Sequence, residues 1–227
     1  SPLIVFEAED LTTNSAASSS LKKQDGNYNG IDFDYSILYD KRDQSFRPTD
    51  GYYSKFNQIL PLLSNDYSLS NIYQYKSYHK LTENTVSNIS LYLSTINSLE
   101  GSDVRVSDRL YLSSKRLRGF ETGKVGPKDN LDFIGGNYAS SASISTTLPT
   151  TLPELESIDF NIFFDAGNVW GVDYDNNLDN SKIRSSTGIS IDWLTPVGPL
   201  NFVLAQPITK ASTDVEQSFR FDIGTTF

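Results

Sequence analysis

His79 is the only histidine in the chain, and the sequence contains no cysteine. That leaves little material for catalysis. Without thiols there is no disulfide framework and no thiolate metal site. His79 lies between Tyr78 and Lys80 in a strand-like run. Serines and aspartates are plentiful, but a Ser–His–Asp triad is defined by geometry rather than by composition. No nucleophile elbow, HExxH motif or metal-spaced cluster accompanies it. The expectation is a protein that is not an enzyme, has no catalytic residue, metal or cofactor, and carries His79 at an interface or loop end. The polar chemistry that remains is ion pairing. Its materials are Leu117-Arg118-Gly119-Phe120, the aspartate inside Phe163-Phe164-Asp165-Ala166-Gly167-Asn168-Val169-Trp170, and the close charges Asp32/Asp34 and Arg220/Asp222.

The elements that would position these charges repeat with a period of two residues, the signature of β-strands. In 219–227, Phe219, Phe221, Ile223, Thr225 and Phe227 share a face, with Arg220, Asp222, Gly224 and Thr226 opposite. In 31–39, Ile31, Phe33, Tyr35, Ile37 and Tyr39 oppose Asp32, Asp34 and Ser36, with Leu38 as the exception. In 158–166, Ile158, Phe160, Ile162, Phe164 and Ala166 oppose Asp159, Asn161, Phe163 and Asp165. In 183–193 the polar face is Arg184, Ser186, Gly188, Ser190 and Asp192. Shorter runs lie at 52–60, 86–96 and 200–205, and 72–80 is strand-like but mixed. The count is about nine strands, with a remnant of another at Leu3–Ala8, and no second domain.

No window approaches the ~18–20 apolar residues of a membrane-spanning helix. A mean hydropathy of −0.37 suits a soluble β-sandwich, and it suits a membrane barrel equally, since barrel strands alternate lipid-facing and lumen-facing side chains. The 13 Tyr, 13 Phe and 2 Trp fit interfacial girdles or a sandwich core. Two details favour the barrel. Close charges on the polar faces suit a wet lumen, and segments of about 9–11 residues match a tilted strand crossing a bilayer. Short turns at Arg47–Gly51 and Leu194–Pro199 alternate with long connections at Thr12–Asn29, Asp103–Gly136 and Gly171–Lys182, another barrel habit. The net charge of −9 excludes a nucleic-acid partner, whose phosphates need a basic face. Ser1-Pro2-Leu3-Ile4 carries no signal peptide, and the missing Met at residue 1 points to a piece of a longer chain.

Three stretches narrow the class. They are Leu117-Arg118-Gly119-Phe120 with Val125-Gly126-Pro127-Lys128 and Gly135-Gly136-Asn137; the Phe163–Trp170 run; and the C-terminus from Ile183 through Trp193, Pro196-Val197-Gly198-Pro199-Leu200 and Ala205-Gln206-Pro207 to Phe227. In this order and spacing they resemble the C-terminal barrel half of the BamA family, among the bacterial surface antigens. The resemblance runs through essentially the whole chain and is densest after Arg116.

The resemblance implies an all-β fold, the C-terminal part of a sixteen-stranded outer-membrane barrel with short periplasmic turns and long extracellular loops. It implies that the Arg118-Gly119-Phe120 loop folds inward, with Asp165 as the lumen partner of Arg118. Where the family often supplies a second acid, Ser145 falls near the place, and a serine cannot replace that charge. The resemblance makes Phe219, Phe221, Gly224 and Phe227 both a C-terminal signal and one side of a lateral seam. The implied function is folding and inserting β-barrel proteins into the bacterial outer membrane by strand templating at that seam. The implied partners are unfolded outer-membrane proteins, accessory lipoproteins and outer-membrane lipid, with POTRA domains and the first barrel strands lying upstream. A sister translocase of the same superfamily, or a passive porin, is the alternative.

Overall fold

The computed structural model describes residues 1–149, 157–179, 182–196 and 198–224. Ten antiparallel strands form one continuous sheet. They are β1 (Pro2–Leu11), β2 (Gly26–Asp40), β3 (Gly51–Ser64), β4 (Ser68–Thr82), β5 (Thr85–Ser98), β9 (Tyr138–Thr147), β10 (Ile158–Trp170), β11 (Arg184–Thr195), β12 (Gly198–Thr209) and β14 (Phe219–Ile223), in that spatial order. The short pieces β6 (Gly119–Phe120), β7 (Lys128–Asp129), β8 (Asp132–Phe133) and β13 (Glu216–Gln217) lie in the connections, as does one helical turn, α1 (Ser19–Lys22). Nearly every strand pairs with its sequence neighbour, so the sheet is a meander. Only the 99–137 connection interrupts the simple up-and-down order.

The register places one consistent set of residues on each face. Tyr53, Lys76, Ser90, Ser143, Asp165 and Ser186 form one rung running across six strands. Most residues on this face are polar or covered by the connections, Leu3 and Leu38 being exposed exceptions. Asn161, Asp165, Ser186 and Ser190 are all buried. The other face holds Ile4, Phe6, Leu93, Ile144, Ile189 and Phe219, each 47–77 % exposed. Among the described residues no second sheet packs against it. A sandwich would bury this face, so the choice left open by composition falls to the barrel wall, whose apolar side meets lipid. The sheet also curls: Arg47, in the β2–β3 connection, forms an ion pair with Asp159 at the start of β10, reaching past β4, β5 and β9.

Several expectations need correction. The remnant at Leu3–Ala8 is a full strand of 10 residues, paired along its whole length with β2. Thr12–Asn29 is not one loop, because Gly26–Asn29 already pair with Ala8–Leu11. β2 to β5 have 14 or 15 residues each, longer than the periodic runs in the sequence. Polar side chains also pair on the outward face of these strands: Tyr35 donates to Gln58 at 2.8 Å, and Asn71 to Thr95 at 3.3 Å. That ladder also explains the mixed pattern of 72–80 and its surroundings. The alternation of short and long connections is incomplete. The 65–67 link joins β3 to β4 at the long-loop end, while the turn end carries the ten-residue 41–50 segment. That segment is held together by Asp43, whose carboxylate accepts from the Thr49 backbone at 3.0 Å and from its hydroxyl at 2.7 Å.

Candidate functional site: an inward segment held by arginines

The 99–137 segment leaves β5, folds against the inward face and returns as β9. Its apolar anchor is a cluster of Leu112, Leu117, Phe120 and Val125 with Ala139 and Val169 of the wall. Phe120 is 1 % exposed. Removing a phenyl ring of this size from water supplies about 1.5–3 kcal/mol, and it fixes the residue before it over the polar wall.

Arg118 takes its position from that anchor. Its Nε donates to Asp165 Oδ2 at 2.7 Å, its Nη2 to Asp165 Oδ1 at 2.6 Å, and its backbone N–H to Oδ2 at 3.0 Å. The pair is bidentate, the geometry that makes an arginine–carboxylate contact strong and directional. The guanidinium carbon stands 3.5 Å from the centre of the Phe163 ring, so the one large apolar residue on the inward face of 158–166 is the platform under this arginine. Asp165 is fully buried. The hydroxyl that completes the clamp belongs to Ser143, which accepts from Nη2 at 2.9 Å. Ser145, the expected place of the second partner, is one inward position further along β9, buried opposite Asn88 and Phe163. Gly119 has φ +91°, and a Cβ there would lie 3.2 Å from that of Ser186. A side chain is therefore disfavoured twice, by backbone and by space.

The structure also ties this segment to the last strands. β6, the Gly119-Phe120 pair itself, is hydrogen-bonded to β13 just before β14. Arg220 of β14 donates to the Ser114 carbonyl and, at 2.6 Å, to Asp222. Phe219, Phe221 and Ile223 point outward, with the rings of Phe202 and Phe221 4.8 Å apart. Gly224, at φ +113°, follows the end of the β12–β14 ladder, and its N–H still donates to the Pro199 carbonyl at 2.9 Å. Phe227 lies outside the described residues. His79 is exposed near the end of β4, opposite Ser87.

Sequence reasoning missed three further arginine anchors. Arg184, at the start of β11, is completely buried and bidentate to Asp214 at 2.9 and 3.0 Å, with Nη1 donating to Asn168 at 2.5 Å. Arg109 pairs with Asp173 at 3.4 Å and stacks 5.2 Å from the Tyr174 ring. Arg105 is a hub, with Glu9 at 2.9 Å, Glu7 at 3.2 Å, Asp66 at 3.0 Å and Asp108 at 2.8 Å. The carboxylates of Glu7, Glu9 and Asp108 lie within 4.8 Å of one another, and Arg105 is the cation they share. Burial pushes the Asp108 carboxyl up to about 6 despite the opposing pull of Arg105. The visible signal, for Arg105 and Arg109, was an unusual run of arginines at 105, 109, 116 and 118.

Known proteins carry the same architecture. The chain is 30% identical over 139 residues to the outer membrane protein assembly factor BamA of Neisseria meningitidis serogroup B, covering 49% of this chain and 17% of that protein. It is 30% identical over 209 residues to the sorting assembly machinery 50 kDa subunit of Saccharomyces cerevisiae, covering 85% and 42%. It thus spans less than half the length of these relatives. The crystal structure of BamA from Haemophilus ducreyi lacking POTRA domains 1–3 superposes with a TM-score of 0.78 at 24% identity, over 86% of this chain and 42% of that one. The Omp85 superfamily domain matches residues 5–227, which include both the ten-stranded wall and its inward segment, and the chain belongs to that superfamily.

Proposed function

We propose that the complete protein is an assembly factor of the bacterial outer membrane, an integral β-barrel that folds and inserts other β-barrel proteins. The observation that carries this is the Arg118–Asp165 clamp within an Omp85 wall. It holds the inward segment against the loop end of the barrel and bonds that segment, through β6 and β13, to the strand at the sheet's edge. A clamp so placed can set how firmly that edge strand is held. Among the described residues β14 runs Phe219–Ile223, and its ladder with β12 reaches Ile223 beside Gly224. Such an edge, opened, offers backbone N–H and C=O groups on which an incoming strand adds by β-augmentation. Closure of the new barrel then drives its release, because lipid tolerates no open edge. In this reading Phe219, Phe221, Gly224 and Phe227 form one side of the lateral seam, and the work needs no catalytic group or cofactor. Unfolded outer-membrane proteins are the substrates, accessory lipoproteins and lipid the partners, and upstream POTRA domains and strands complete the molecule.

The test is replacement of the chromosomal gene by one encoding Arg118→Ala in the full-length protein. Folded outer-membrane barrels should fall in abundance while the variant itself is still inserted. Wild-type levels of folded barrels would overturn the role given to the clamp. A full-length protein that forms a large, steady conductance and supports no barrel assembly would be a passive porin instead.

A further inference from the structure

The inward face is not electrically matched everywhere. Arg47, Arg118 and Arg220 each have a carboxylate partner, Asp159, Asp165 and Asp222. Lys76 and Arg116 do not: among the described residues no ion pair forms at either, and Arg116 rests with its guanidinium carbon 3.5 Å from the centre of the Tyr92 ring. Both are half-buried and line one cavity of about 1090 Å³. The register brings them together. Lys76, Ser90 and Ser143 stand side by side on one rung of β4, β5 and β9, and Tyr92, under Arg116, is the next inward residue along β5. Adjacent strands are ~4.8 Å apart and successive inward residues ~6.8 Å apart, so both cationic side chains reach the same few ångströms of space. Ser143 accepts from Arg118 at 2.9 Å and keeps its own proton to donate. The cavity also carries turn-end residues such as Thr49 and Asn84, so it extends from the inward segment toward the turn side.

Two cations with no ion-pair partner among the described residues, flanked by hydroxyl donors, disfavour an empty site, since a partly desolvated charge costs free energy until it is paired. Of the carboxylates on the same lining, Asp159 is engaged by Arg47 and Asp192 by Asn161 and Asn201. A monovalent carboxylate would leave one of the two charges unmatched. A tetrahedral oxyanion of about −2 charge matches both and offers enough acceptors for the serines as well. We propose that Lys76 and Arg116, with the hydroxyls of Ser90 and Ser143, form a binding site for a phosphate-class oxyanion inside the barrel. The bound anion bridges the wall, through Lys76, to the inward segment, through Arg116, as a second fastening beside the Arg118 clamp. Inorganic phosphate and a phospholipid headgroup share this chemistry. The site lies on the inward face of the wall, opposite the apolar face that meets lipid, which favours the water-borne form.

The experiment uses full-length protein purified in detergent without phosphate. Calorimetric titration with inorganic phosphate, and separately with a water-soluble short-chain phosphatidic acid, reads affinity and source. Inorganic phosphate should bind and raise the melting temperature. Lys76→Gln and Arg116→Gln should each weaken binding about tenfold or more, and Lys76→Arg should retain it. Heat-modifiable migration on gels checks that every variant is folded. Binding of the lipid alone would keep the site and assign it to a headgroup. A folded wild-type protein that binds neither ligand would overturn the proposal and give the pairing to a carboxylate elsewhere in the complete barrel. Binding unaffected in both glutamine variants would place the anion elsewhere.

Discussion

Asp165 and Asp214 are carboxylates with no access to water, each closed by one arginine. Such a pair is a poor source of net stability, because desolvation consumes most of the Coulomb attraction, but removing one partner strands the other and costs about 3–5 kcal/mol. The two pairs should therefore respond differently in kind. Asp165→Asn leaves Arg118 partly exposed, at 14 % of its side chain, so the guanidinium can recover some water. Its expected result is an inward segment that opens, read as faster hydrogen exchange across 110–125 in a barrel that is still formed. Asp214→Asn leaves Arg184 fully enclosed, at 0 %. Its expected result is a larger loss, read as a lower unfolding temperature of the full-length protein. Equal, small effects in both would mean that neither ion pair holds its segment in place.

At the scale of elements, the 99–137 segment is fastened at two ends, by Arg118 to β10 and by Arg105 to β1 and the 65–67 link. The Arg105 end is pH-dependent. Asp108 titrates near 6 when folded against an ordinary value of 3.8, so between those limits the folded state binds more protons than the unfolded one. Stability then falls as pH rises from about 4 to about 6 and is flat above. Thermal melts of Asp108→Asn should lose that slope; an unchanged slope would assign it to another group. At the other end, Gly119→Ala has to hold φ +91° with its methyl group against Ser186. A loss of about 1–3 kcal/mol is expected, again read by exchange in the segment. The strands themselves were legible because a wall with lipid on one side and water on the other imposes the two-residue period on each of them. The clamp was legible only through resemblance to a family. Nothing in the period distinguishes Asp165 from Asp159 on the same face, although one meets Arg118 and the other Arg47. The run of arginines that includes Arg105 was visible, but the anchoring of Arg105 and Arg184 was not, since the partners Glu7, Glu9, Asp66 and Asp214 come from distant connections and edges. Long-range ion pairs leave no local pattern in a sequence.

For the whole molecule the decisive property is the asymmetry of the sheet's two faces, and it can be tested by putting the same charge on each. A soluble protein rarely exposes a contiguous apolar surface beyond a few hundred Å², whereas here the outward residues of strand after strand are apolar and uncovered. Ile189 stands near the middle of β11 on that face, 47 % exposed. Asn88 stands on β5, on the inward face, among the residues lining the cavity. If lipid covers the outward face, Ile189→Arg places a guanidinium near the centre of the bilayer and costs about 2–4 kcal/mol. Asn88→Arg places it in the hydrated lumen, where the same side chain costs little. Refolding of the full-length protein from urea into lipid vesicles, followed by heat-modifiable migration, should show a reduced folded fraction for Ile189→Arg and an unchanged one for Asn88→Arg. In detergent micelles, whose headgroups and water come closer to the apolar band, the difference should shrink. A loss of equal size for both substitutions in vesicles would mean that protein, not lipid, covers the outward face at β11, and the wall would then have to be read as one side of a larger protein core.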